Sequence, residues 1–169
     1  RITIDFLSSI SDELVTLEEG KNLKLKISTK NHQSSIYLLN PEDYPKIPSI
    51  SKDKEIKLAT SEFKEAINSV AFASSKDDTR PVLGGVLVYS KDSLLYLVAT
   101  DSYRLAERTV KILDSPQVID NLIIPSATIQ DVLKVIQSQE AEEVKLIAED
   151  DQVSFSIGDV TIISRLISG

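Results

Sequence analysis

The sequence predicts an α+β fold built from a duplicated strand–helix–three-strand unit, with two helices on one face of antiparallel sheets. Three observations carry this. A helical stripe of apolar residues recurs along the chain, and the same pattern of alternating strands follows each copy of the stripe. The core must also be built mainly from Ile, Leu and Val. Hydrophobic residues make up 41% of the 169, enough for an ordinary packed core, yet aromatics are only 5% and Trp is absent.

Taking the elements in order, Thr3, Phe6, Leu7 and Ile10 share the i, i+3, i+4, i+7 spacing of a helix with one inward face. Val15-Thr16-Leu17, a turn at Glu19-Gly20 and Leu23–Ile27 then read as a hairpin. The Pro-rich stretch Asn40–Ser51 disfavours helix and central strand through Pro41, Pro45 and Pro48. This places an incomplete domain at 1–39, a linker at 40–53 and a nearly whole domain at 54–169.

The second domain carries the clearest duplication. Phe63, Ala66, Ile67 and Val70 form one stripe; Ile129, Val132, Leu133 and Ile136 form the other. Ser61 and Ser126 stand where helix N-caps belong, and Pro125 precedes the second helix. The hairpins Val86–Tyr89 with Leu95–Leu97, and Val144–Ile147 with Val153–Phe155, turn at Lys91-Asp92 and Asp150-Asp151. Opening strands are expected at Glu55–Ala59 and Asn121–Ile124, and closing strands at Arg104–Val110 and Val160–Leu166. The helices align at an offset of 66 residues (63 to 129) and the hairpins at 58 (86 to 144), so the first copy holds eight extra residues within Ala73–Leu83. One copy alone cannot cover its apolar faces, whereas two side by side bury both helices. The period exceeds that of solenoid repeats, which favours a closed duplicated domain.

The chemistry available is narrow. No Cys is present, which excludes disulfides and thiolate metal sites and fits a cytoplasmic protein. No apolar run approaches the ~20 residues of a membrane span. The single His32 lies in a polar loop, and no Gly-rich phosphate loop exists among five glycines, so neither nucleophilic catalysis nor a cofactor is expected. The pairs Asp77-Asp78, Glu142-Glu143 and Asp150-Asp151 read as solvated turns and strand ends rather than a metal site, because adjacent carboxylates diverge. The net charge of −7 argues against a protein that coats DNA, without excluding a localised DNA-facing surface.

The inserted loop, present in one copy only, holds Lys76 and Arg80 beside Asp77 and Asp78. Arg80 suits either a phosphate contact or a salt bridge to its acidic neighbours. The outer helix faces offer Glu62, Lys64, Glu65, Asn68 and Ser69 on the first helix, and Thr128, Gln130, Asp131, Lys134 and Gln137 on the second. They lack the Arg and amide clusters that read base edges, but would tolerate a passing duplex.

The runs INSVAFASSKDDTRPVLGGVLV and LVATDSYRLAERTV resemble the middle domain of the bacterial DNA polymerase III β subunits, the β sliding clamps. The closing IISRLISG resembles the segment before that family's Phe-Pro-Asp-Tyr turn, and EDYPKIPSI resembles the Phe-Pro-x-x-Pro segment that closes its first domain. The resemblance implies a DNA-clamp domain whose two helices line the hole of a dimeric ring, with this chain holding the end of the first domain and most of the second. Its abrupt start at Arg1 and its end at Gly169 are expected to be cuts in a longer protein, and the third domain is expected to be absent. A non-catalytic processivity factor is implied, which encircles duplex DNA without sequence preference. Its partners would be the DNA polymerase III α subunit, clamp-loader subunits and other replication and repair proteins.

Residue by residue, Thr100, Asp101, Ser102, Tyr103, Arg104 and Leu105 match the segment that forms part of the family's pocket for partner peptides. Leu105 is expected beside a shallow apolar groove, with Tyr103 and Arg104 at its rim. Arg80, Lys76, Lys64 and Lys134 are the DNA-facing candidates. Some relatives have Gly-His where this chain has Ser102-Tyr103. Some also have basic residues where this chain has Ser126 and Ala127. The readings that compete are a non-catalytic β-rich scaffold without DNA function, and a metal-dependent hydrolase using the acidic pairs.

Overall fold

The structure is a computed structural model that describes residues 2–11, 14–44, 55–77, 79–114, 118–149 and 151–168. Asp78, Asp150 and most of the expected linker, residues 45–53, lie outside the described residues. The chain divides into two compact units, Arg1–Pro48 and Ser49–Gly169.

In the first unit, helix α1 (Ile2–Ser8) precedes an antiparallel sheet ordered β1 (Thr16–Gly20), β2 (Lys24–Ser28), β3 (Gln33–Tyr37). The reversal expected at Glu19-Gly20 falls later, at Lys21–Leu23, because Gly20 still pairs with Lys24. Asn22 and Leu23 both take positive φ there, as a tight hairpin connection demands. Asn40 caps a single 3-10 turn at Pro41–Asp43, its Oδ1 accepting from the Glu42 N–H.

The second unit contains β4 (Glu55–Ala59), α2 (Thr60–Val70), β5 (Gly85–Lys91), β6 (Leu94–Thr100), β7 (Leu105–Lys111), β8 (Leu122–Pro125), α3 (Ser126–Ser138), β9 (Glu143–Glu149), β10 (Gln152–Ile157) and β11 (Val160–Arg165). Both stripes predicted from periodicity are the buried faces: Phe63, Ala66, Ile67 and Val70 on α2, and Ile129, Val132, Leu133 and Ile136 on α3. The two helices touch each other, and each packs on strands of both sheets. Phe63 stacks on Phe155 at 6.1 Å between ring centroids, tying α2 to β10.

The two copies are joined by strand exchange, which periodicity did not reveal. The sheets run β11-β10-β9-β4 and β7-β6-β5-β8, so the opening strand of each copy pairs with the hairpin of the other. The registers are equivalent: Ala59 faces Glu143 and Pro125 faces Gly85, the same positions in the two copies. The seams between the sheets match as well. The Leu113 N–H donates to Lys57 O (2.9 Å) on one side, and the Ile167 N–H donates to Ile123 O (2.8 Å) on the other. This is a pseudo-twofold, with its core where the two helices meet the sheets.

Neither predicted N-cap forms. Ala59 and Pro125 occupy the cap positions without side-chain bonds, while Ser61 and Ser126 lie inside the helices. Each opening strand runs straight into its helix, so no loop residue is left to cap it. The first N–H of α2, on Thr60, donates instead to Glu142 O of the other copy (2.9 Å). Ser126 Oγ lies 2.9 Å from Ser74 Oγ, joining α3 to the segment that follows α2.

Candidate functional site

The turn from β6 to β7 is built from short polar side chains that bond nearby backbone. Thr100 Oγ1 donates to Arg104 O (2.7 Å) and accepts from the Ser102 N–H (3.1 Å). Asp101 Oδ1 accepts from the N–H groups of Tyr103 and Arg104, each at 3.1 Å, and its Oδ2 accepts from Arg104 Nε at 3.0 Å. The Tyr103 N–H above all, against the opposing effect of desolvation and with the help of the N–H and charge of Arg104, holds the Asp101 carboxyl below its ordinary pKa. Ser102 has φ 79°, the left-handed region that favours glycine.

The inserted loop folds against this turn. The Ser75 N–H donates to Leu83 O (2.8 Å), closing the base of the loop. Asp77 Oδ1 accepts from the Thr79 N–H (3.0 Å) and hydroxyl (2.7 Å), and these bonds lower its pKa. Arg80 reaches across: its Nη1 donates to Ser102 Oγ at 2.9 Å, while its Nη2 lies 3.8 Å from Asp77. On the other flank, Arg104 Nη2 donates to Phe72 O (3.0 Å) and the guanidinium sits 5.3 Å from the Phe72 ring centroid. Between loop and turn lies an open groove of about 530 Å³, lined by Phe72, Ser74, Ser75, Lys76, Asp77, Arg80, Asp101, Tyr103 and Arg104.

The structure therefore brings together the predicted Thr100–Arg104 segment with two of the DNA-facing candidates, Arg80 and Lys76. Leu105 does not line this mixed, charged groove, whereas its neighbours Tyr103 and Arg104 do. Nor is it in the core: Leu105 is 66% exposed and Tyr103 95%. Lys64 and Lys134 project from the exposed faces of α2 and α3, and Lys134 Nζ pairs with Asp131 at 2.8 Å. Phe72 was missed by sequence reading. Its signal is an aromatic residue two positions beyond the last core residue of the α2 stripe, out of phase with it, and 58% exposed. Among the described residues no group of three or more His, Asp or Glu side chains is placed to hold a metal, and no helix is long and apolar enough to cross a membrane.

Residues 57–169 match the family model described as the DNA polymerase III beta subunit, central domain. The chain belongs to that family. Beta sliding clamps of Staphylococcus epidermidis and Staphylococcus aureus are 31% identical to it over all 169 residues. The DNA polymerase sliding clamp of Bacillus subtilis superposes on the whole chain with a TM-score of 0.89 at 29% identity. The DNA polymerase III beta chain of Streptococcus pneumoniae covers 99% of it with a TM-score of 0.88 at 25% identity. The chain spans 44% of the length of each of these clamps, less than half. The duplicated fold expected of a sliding-clamp domain, with its helix pair on antiparallel sheets, is thus the fold of this family.

Proposed function

We propose that the protein is a replication processivity factor whose intact form closes into a homodimeric ring around duplex DNA. The single observation that carries this is the exchanged, pseudo-twofold domain with its paired helices, in a chain of the β subunit family. In this reading residues 1–39 are the end of the first clamp domain, 40–53 are a linker, and 54–169 are most of the middle domain. The exposed faces of α2 and α3 line the hole. Their mixed charge suits sliding: topology supplies the retention, and weak phosphate attraction through Lys64, Lys134, Lys76 and Arg80 needs no base reading.

The β6–β7 corner would hold part of a pocket for peptides of the DNA polymerase III α subunit, clamp-loader subunits and other replication and repair proteins. Leu105 is its apolar anchor, with Tyr103 and Arg104 at the rim. The protein acts in the cytoplasm and catalyses nothing itself. Loading the full-length protein onto nicked circular DNA with its clamp loader tests the reading. Retention through gel filtration at high salt, followed by release on linearisation, is expected. Equal release from circular and linear DNA would overturn it.

A further inference from the structure

The inserted loop and the β6–β7 corner share one arginine, and its geometry assigns it a task in addition to phosphate contact. Ser102 stands at φ 79°, where a side chain crowds the backbone and glycine alone is comfortable. The turn tolerates it through bonds inside the turn and one bond from outside to its own side chain, Arg80 Nη1 to Ser102 Oγ at 2.9 Å. Arg80 is well placed to hold it. Its own N–H donates to Asp77 O (3.4 Å), its carbonyl accepts from the Leu83 N–H (3.0 Å), and Pro81 follows it. The loop beneath is closed by the Ser75–Leu83 bond. Asp77 is already occupied by Thr79, and at 3.8 Å its carboxylate is too far from Arg80 for a good hydrogen bond, which leaves Ser102 as the better partner.

We infer that Arg80 is a positioning residue for partner binding: by bonding Ser102 Oγ it holds a left-handed non-glycine turn, and so sets where Tyr103, Arg104 and Leu105 project. This rests on the proposal that the corner binds partner peptides. Without the guanidinium, Ser102 keeps its backbone cost and loses the compensating bond, and the turn is free to relax toward negative φ. A glycine at 102 has no such cost and no such need. The effect of losing Arg80 must therefore depend on which residue stands at 102.

The test is a double-mutant cycle on the full-length protein, read as the affinity for a fluorescent synthetic peptide from the clamp-binding segment of its DNA polymerase III α subunit. With Ser102 present, Arg80→Ala should weaken binding about 5-fold, the worth of one ordinary net hydrogen bond at an exposed site. In the Ser102→Gly background the same change should cost less than about 2-fold, because the turn no longer needs the tie. Ser102→Ala removes the acceptor and keeps the backbone cost, so it should also weaken binding about 5-fold. This variant keeps the test open even if Arg80→Ala disturbs the loop.

Equal losses from Arg80→Ala in both backgrounds would mean that Arg80 touches the peptide itself. No loss in either would mean that it plays no part. Each result overturns the inference. Leu105→Asp in the same panel separates the two failures. If it leaves peptide binding unchanged, the pocket reading falls and takes this inference with it. If it abolishes binding while the cycle is additive, only the role of Arg80 falls.

Discussion

Leu105 and Asp101 show how single residues divide the work of the corner. Leu105 opens β7 yet stays 66% exposed, so its side chain adds nothing to the core and is available to a ligand. Leu105→Asp in the intact protein is expected to abolish peptide binding, because docking would desolvate a carboxylate without a partner. Ring formation should survive. A folded variant that binds the peptide with unchanged affinity would remove Leu105 from the pocket. Asp101 acts on the backbone instead. Its pKa is lowered in the folded protein, so its contribution is complete above the ordinary carboxylate range and is lost as pH falls through that lower value. Peptide affinity should therefore fall on strong acidification, with a step that is missing in Asp101→Asn; titrations of both proteins check this. The turn chemistry of Thr100–Ser102 was legible in the sequence because short polar side chains have few other uses between two strands. The partners of the two arginines were not. Arg80 to Ser102 and Arg104 to Phe72 span 22 and 32 positions, and local pattern carries no information about such pairs.

At the scale of elements, the three helices and the hairpins were readable from apolar spacing, apart from the exact place of the first reversal, since a period of 3.6 or 2 survives in the order of residues. Strand exchange was not readable. The opening strands Glu55–Ala59 and Leu122–Pro125 look alike in either pairing, and only the closed fold decides which hairpin each joins. The missed N-caps share that cause, because the Thr60 N–H finds a carbonyl of the other copy. Gly85 marks the join between β5 and the exchanged β8. A Cβ added there would come within 2.6 Å of Ile123 Cγ2 and 2.9 Å of Ile124 O, and one of those contacts is backbone that cannot turn aside. Gly85→Ala should destabilise the domain by about 1–3 kcal/mol. Phe63→Ala should cost more, about 3–5 kcal/mol, because it empties the space between α2 and Phe155. Urea unfolding of both variants measures this. A smaller cost for Phe63→Ala than for Gly85→Ala would contradict the packing described.

For the molecule as a whole, the acidic balance and the modest helix faces set the expectation for DNA. The 169-residue chain on its own should bind duplex DNA weakly and without sequence preference, and more weakly still as salt rises. Fluorescence anisotropy at two salt concentrations with two unrelated duplexes checks this; tight, sequence-dependent binding at physiological salt would sink the clamp reading. The strand exchange has a mechanical consequence too. The chain enters the second unit through β4 and leaves it through β11, the two outer strands of one sheet. Glu55, Ile147, Ser154 and Ile163 form a single row across that sheet. Tension passed along the chain therefore runs mainly through β9 and β10, across the strands, and reaches the other sheet only through the two seams. The β6–β7 corner belongs to that less loaded sheet. In the proposed ring, a tug would strain one half of the domain before it reached the turn proposed to hold a partner.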